Sequence, residues 1–511
     1  MKRPVAIALL LLMNITAHFM PFERAALAPD DYATLVRSLP AAEGTVSPVK
    51  TYADRPLNYA FLALQAKSIG DNAGLAFIML FLSACALLLA VFVLFEKLFG
   101  DTSAAFIGAA VFCLLPNKLE TYHTLIFLNI NIVSLLYVMS FALFVEHAGA
   151  GRRGALFSSV LLYAAGIFWY EVGFFMPLLM ICYCFMDKRC RPVSVMPFMA
   201  VAVFYAVYRF TGAYGMAAGA EGQSHSVSLS MLPLNLKELL HHYAGRYAAR
   251  SILYGFYNFA AMQPVWLAAV SAALLTLIVS VRSALTGVKT PEIRKGALML
   301  GLAAFFTMIL PVLFNDKGGI GGRHLILPSI GVSIMAVPAL MYTGRNWKNI
   351  LVALIVIMSV VGAGNAWTQV VACRINGAVF GYLKSNSTAL VSAKAVVIDT
   401  NSFAEKIKYT LVKRDFNLFN TYYGAQALED WGLISMARWA ARDNGKQVYV
   451  SISSPYVKKE EVKFCVYEYK GYRSKAVKDV RLPAEGTLVI GAKEVFGGDT
   501  DAGIRKLGIR E

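Results

Sequence analysis

Residues able to do acid–base or phosphate chemistry collect at the ends of apolar runs in this chain. The stretch from Pro21 to Asn72 holds Asp30 and Asp31 side by side, then Asp54 and Arg55. Two carboxylates beside an apolar segment are costly unless water, a cation or a reacting group uses them. Adjacent like charges raise the proton affinity of one member, which suits a general base near neutral pH. Asp30 can equally cap a helix that starts near Tyr32, because Pro-Asp-Asp before an apolar run is a good helix start. Both readings stay open from the loop alone. Further along come Asn117, Lys118, Glu120 and His123, then Glu171, then Asp316, Lys317, Arg323 and His324. Long cationic side chains such as Lys118 and Lys317 can serve as snorkelling anchors. Glu120 and Glu171 are too short for that, and each sits against apolar sequence.

The elements that must position these residues are apolar helices. Of 511 residues, 58% are hydrophobic and 15% charged, and the mean hydropathy is +0.56. That balance excludes an ordinary soluble protein and implies a polytopic α-helical membrane protein. The net charge of +17 lies largely in short loops between apolar runs, where Lys and Arg set orientation. No nucleic-acid-binding signature is present, so nucleic acid is not an expected partner. The seven cysteines form no CxxC, and no Cys/His spacing suggests zinc. Cys85, Cys113, Cys182 and Cys184 read as small core residues in apolar segments, and Cys190 lies among basic residues.

Met1-Lys2-Arg3 before Val5–Met20 reads as an uncleaved first span with its N-terminus inside. Residues 21–72 then form the first outer loop. Further spans are expected at 75–95, 103–115, 125–145, 155–168, 172–185, 193–210, 265–281, 297–314, 325–341 and 350–368, about eleven in all. Several fall short of the roughly 20 residues that a straight span needs, so their flanks should lengthen them. A long outer loop, 212–263, opens Gly-rich and then mixes apolar residues with His241, His242, Arg246 and Arg250, the pattern of an amphipathic helix on a membrane surface. Residues 1–370 are thus read as the transmembrane domain. Residues 371–511 carry 22 Lys and Arg against 15 Asp and Glu, without a long apolar run. They are read as an extracytoplasmic soluble domain of α/β or α+β type. Strands are expected at 395–398, 448–452 and 487–490, and an amphipathic helix at 425–441.

Six short segments together resemble the GT-C membrane glycosyltransferases, in particular the protein O-mannosyltransferase-like branch that includes the TMTC-type proteins. In order, they are Asp30-Asp31; Arg55-Pro56-Leu57; Leu98-Phe99-Gly100; Pro116 with Glu120; Glu171 with Pro177; and Arg323-His324-Leu325-Ile326-Leu327-Pro328-Ser329. The resemblance covers about Met1 to Tyr342. It departs at His324, where the family usually has Tyr, and in the tail, which lacks tetratricopeptide repeats.

The resemblance implies a GT-C-like fold and a sugar donor carried on a polyprenyl phosphate. It implies transfer to an extracytoplasmic acceptor (glycan, lipid or protein) and residence in a bacterial inner or plasma membrane. Asp30 or Asp31 would be the base, with Asp31 preferred because it lies nearer the possible helix, and a single base would act in line and invert the anomeric centre. Arg323 would be the leading phosphate ligand, because a guanidinium grips two oxygens in a fixed fork. Arg55 and Lys118 would be second choices, with Glu120, Glu171 and His324 in support. No cofactor motif is present, though a divalent cation at the phosphate is compatible with these carboxylates. Two other classes compete. An O-antigen-type polymerase or ligase would use the 212–263 loop with Arg246 and Arg250. A lipid-linked glycan flippase or transporter would place its polar residues near mid-membrane and show internal repeats.

Overall fold

A computed structural model describes residues 1–23, 26–28, 31–32, 34–36, 38, 55–118, 120–187, 189–210, 229–291, 296–313, 322–393, 395–399, 430–441, 448–452, 463–467, 474–477, 487–497, 499 and 502. Asp30, Asp54, Asp316 and Lys317 lie outside them.

The apolar runs are helices. In chain order they are α1 (Arg3–Asn14), α2 (Pro56–Ser68), α3 (Ala73–Phe99), α4 (Thr102–Leu114), α5 (Leu128–Ala150), α6 (Arg153–Trp169), α7 (Met176–Met186) and α8 (Met196–Phe210). They continue as α9 (Leu232–Tyr243), α10 (Arg246–Ala260), α11 (Pro264–Leu285), α12 (Ala297–Leu313), α13 (Ile326–Met341) and α14 (Trp347–Ser385). Among the described residues, six stretches are long and apolar enough to cross a membrane, and five shorter apolar helices accompany them. The eleven coincide with the eleven apolar segments of the sequence. The chain is a polytopic, integral membrane protein.

The short spans are short because they are enclosed. α4 has 13 residues, about 20 Å at 1.5 Å per residue, against a hydrocarbon core of about 30 Å. All but two of its residues are buried, as expected for a helix that is apolar all round. Turns at Pro116–Lys118 and Glu120–His123 carry it onward. The Leu98-Phe99-Gly100 segment is the reversal that feeds it. Gly100 ends α3 with φ +68°, and Asp101 caps α4 by accepting the Ala104 N–H at 2.7 Å.

Three expectations need correction. The 21–72 loop is not all loop, because Pro56 at the first helical position starts the 13-residue α2. The single amphipathic helix expected near 236–259 is two helices, α9 and α10, which break at Ala244-Gly245. α10 does not simply lie on a membrane surface. It crosses α14 with backbones almost touching: a side chain at Gly255 would meet the Val361 carbonyl at 2.6 Å, and one at Gly364 would run into the Gly255 carbonyl. Small residues permit this close packing between apolar helices. Finally, Cys184, expected as a small core residue, is bonded to Cys190.

α14 has 39 residues and continues past position 370 to Ser385. Beyond it the described tail forms a five-stranded mixed sheet in the order β4-β3-β2-β1-β5. The strands are β1 (Ala395–Asp399), β2 (Val448–Ile452), β3 (Lys463–Tyr467), β4 (Ser474–Val477) and β5 (Thr487–Ile490). β1 pairs in parallel with β2 and β5, while β3 and β4 add as antiparallel neighbours. Helix α15 (Asp430–Ala441) lies between β1 and β2 in sequence, the crossover that a parallel pair needs. Leu433 and Met436 of α15 pack in one core with Val379 and Leu383 of α14 and with Leu27 and Tyr32 of the first loop.

Candidate active site

Charged residues from distant parts of the chain meet at one end of the bundle. The fork of Arg55 grips Glu171, with Nε–Oε2 at 2.9 Å and Nη2–Oε1 at 2.5 Å. The same guanidinium lies 4.4 Å from the centroid of the Tyr170 ring. Arg209, at the end of α8, approaches Glu171 at 3.6 Å and donates to the Tyr205 hydroxyl at 2.9 Å. The Arg55 and Glu171 side chains are 20% and 24% exposed, so water reaches the pair only in part. Three segments of the chain, at Arg55, at Tyr170–Glu171 and at the end of α8, supply these contacts, in which two arginines face Glu171.

Asp31 joins the same end through one dipeptide. Its Oδ1 accepts the Ile126 N–H at 2.8 Å, and its Oδ2 accepts the Ala28 N–H at 3.0 Å. It is 2% exposed. The next residue, Phe127, lies under Arg323, whose guanidinium carbon is 5.3 Å from the ring centroid. The loop bearing the paired aspartates is thus pinned beside the segment that carries Arg323. A second tie joins two of the family-like segments. Ser329 donates to the Leu325 carbonyl at 2.6 Å, lies 3.5 Å from the Asn117 side-chain oxygen, and lies 3.2 Å from the Tyr243 hydroxyl.

Lys118 is placed differently from the expectation. It is 1% exposed, and its ammonium turns back on the end of α4. There it donates to the carbonyls of Phe112, Cys113 and Leu115, and lies 3.3 Å from the Tyr122 hydroxyl. A cation closing the last carbonyls of a helix is a C-terminal cap. Lys118 is therefore withdrawn as a phosphate ligand. His18 stacks on Tyr122 beside it, with ring centroids 4.5 Å apart. Glu120 begins the short turn after Lys118, and its side chain lies outside the described residues, as Arg246's does. Arg250 lies on α10.

Burial pulls the Lys118 ammonium down to about 7. A lysine whose proton affinity falls on folding binds fewer protons folded than unfolded above that value, up to the ordinary lysine range. Stability then rises with pH across that window. Thermal melting in detergent is expected to climb from about pH 7 to about pH 9, and the climb should shrink in Lys118→Met. Equal slopes in the two proteins would refute this placement of the ammonium.

Sequence reasoning missed Arg209 as a site residue. The available signal was its sign: an arginine at the end of a span that the sequence reads as outer goes against the usual inner bias and asks for a partner. Arg374 is a second such case. It donates to both oxygens of Glu23, at 2.7 and 2.6 Å, and ties the first loop to α14. At the other end of the bundle, Glu96 and Glu146 take Arg3, Lys97 and Arg152. Among the described residues, no group of three or more His, Cys, Asp and Glu could hold a metal ion.

Neither a protein-family profile nor a curated protein matches this chain. Among solved structures, the archaeal oligosaccharyltransferase AglB from Archaeoglobus fulgidus, in complex with an inhibitory peptide and a dolichol-phosphate, overlays on 87% of this chain. The overlay has 14% sequence identity and a TM-score of 0.29, and this chain spans 56% of that chain's length.

Proposed function

We propose that this protein is a GT-C-type glycosyltransferase that moves a sugar from a polyprenyl-phosphate donor to an extracytoplasmic acceptor. The observation that carries the reading is the single dipeptide Ile126-Phe127, which holds the Asp30–Asp31 loop with one residue and underlies Arg323 with the next. That the loop carrying the two aspartates and Arg323 are held by neighbouring residues supports reading one as the source of the base and the other as the phosphate ligand. The fixed fork of Arg323 beside the aspartate loop favours a phosphate, and the surrounding apolar helices favour a lipid tail. Arg323 is the donor-phosphate ligand in this reading. Arg55 is held by Glu171 and shapes the wall beside it. Asp30 is the base, since both oxygens of Asp31 are occupied by backbone amides. The acceptor hydroxyl gives its proton to Asp30 as its oxygen attacks the anomeric carbon. The bond from that carbon to the phosphate oxygen breaks, and the polyprenyl phosphate leaves toward Arg323.

The direct test incubates purified protein with a panel of polyprenyl-phosphate sugars and asks which one is consumed. Consumption of none would refute the reading. Arg323 gives a sharper test, because an anchor needs only charge whereas a two-oxygen grip needs the planar fork. Arg323→Lys is expected to weaken donor binding about tenfold and Arg323→Ala about a hundredfold, with membrane insertion unchanged. Normal donor affinity in Arg323→Ala would return this residue to the snorkelling anchors.

The same reading places the Arg55–Glu171 end and the tail outside the cytoplasm, and the N-terminus inside. Reporter fusions at Ser385 and at Arg153 are expected to report opposite sides. Both on one side would undo the siting of the chemistry.

A further inference from the structure

The end of the bundle opposite the Arg55–Glu171 cluster holds a cavity of about 790 Å³. It lies between the end of α5, the start of α6, and the turn from Asp187 to Val195 that leads into α8. Arg153, Arg189 and Arg191 line it together with His147. His147 sits between elements: one ring nitrogen lies 3.1 Å from the Arg152 carbonyl and the other 3.3 Å from the Ser194 hydroxyl. Arg189 is matched by Asp187, through two contacts of 3.0 Å. Arg153 and Arg191 have no carboxylate partner among the described residues. The nearby Glu146 is taken by Lys97 and Arg152. Among the described residues the cavity is thus positive, with two of its three arginines unmatched by a carboxylate. Its remaining wall is apolar and open, with Phe157 at 66% exposure and Val193 at 62%.

We propose that this cavity binds the headgroup of an anionic phospholipid from the adjoining leaflet. The phosphate would sit between Arg153 and Arg191, and the acyl chains would run along Phe157 and Val193. Charge selects the anion: basic pockets between spans on one membrane face hold acidic headgroups. The exposed phenyl ring and valine select a lipid over a soluble anion, which has no use for an apolar wall. His147 holds α5 to the α8 approach, so it fixes the width of the cavity.

The test uses the purified full-length protein and native mass spectrometry, with phosphatidylglycerol and phosphatidylcholine of identical chains at equal concentration. Wild type is expected to retain phosphatidylglycerol about tenfold over phosphatidylcholine. The Arg153→Gln/Arg191→Gln double variant should bring that ratio near one. Arg282→Gln/Lys289→Gln, which removes equal charge outside the cavity, should leave it unchanged. Equal retention of both lipids by wild type would overturn the proposal, as would an equal loss in the control pair. Displacement of the lipid by millimolar inorganic phosphate would also overturn it, in favour of a soluble-anion site. A second measurement does not depend on the double variant folding. In Phe157→Trp, bromine-labelled phosphatidylglycerol should quench the new tryptophan more strongly than bromine-labelled phosphatidylcholine, and equal quenching would overturn the proposal.

Discussion

Asp30→Asn is expected to cut sugar transfer about 10² to 10⁴-fold, the usual contribution of a general base, while donor binding and thermal melting stay as in wild type. Amide replacement keeps the shape of the side chain and removes its basicity. The neighbouring change should behave differently. Asp31 accepts two backbone N–H groups on two different oxygens, and an asparagine has one acceptor oxygen to offer. Asp31→Asn therefore strands a buried N–H at a cost of about 1–3 kcal/mol. Melting should fall together with activity, because the loop loses its hold on Ile126. Two assays, transfer and melting, thus separate a base from a positioning residue. Near-normal turnover in Asp30→Asn would exclude it as the base. Unchanged melting with abolished transfer in Asp31→Asn would move the base to Asp31.

Glu171→Ala is expected to be the most damaging single change at the other side of the site. Glu171 stands between Arg55 and Arg209. Its removal leaves two guanidiniums facing each other in a half-buried place, at a cost of about 2–3 kcal/mol. α2 would lose its anchor, and transfer should fall about a hundredfold as the first loop drifts from Arg323. The double variant Glu171→Ala/Arg55→Ala tests the cause. Removing the stranded cation should recover part of the melting temperature but none of the transfer. Additive losses of stability in the double variant would show that the two residues do not act as a pair.

The eleven apolar segments could be read from sequence because burial in a bilayer demands apolar length whatever the helix packs against. The sheet could be read where strands are Val- and Ile-rich, as at Ala395–Asp399 and Thr487–Ile490. Lys463–Tyr467 and Ser474–Val477 escaped because lysines and a serine dilute their pattern, and their pairing with β2 is decided by neighbours. The site was legible as a set of residues and less so as an arrangement. Glu171 and Arg209 lie 38 positions apart in sequence, and nothing local to either reveals that they meet. Lys118 looked like an outward cation because its neighbours are polar. Its direction follows from the unfinished carbonyls of α4, which a composition count does not register. The meeting of Gly255 with Gly364 likewise depends on where two helices cross, and each glycine alone reads as an ordinary interruption.

The 39 residues of α14 make a rod of about 58 Å, some 28 Å longer than the hydrocarbon core it crosses. The tail packs through Leu433 and Met436 on Val379 and Leu383 near the end of this rod, so the helix sets both the distance of the tail along the rod and its compass bearing. One residue inserted in the rod before Val379 would swing the tail by about 100° and lift it by about 1.5 Å. Seven would bring the bearing back to within about 20° and lift the sheet by about 10 Å. The distance and the direction of the sheet relative to the bundle are therefore geared together through helical pitch, and one changes without the other only in steps of nearly whole turns.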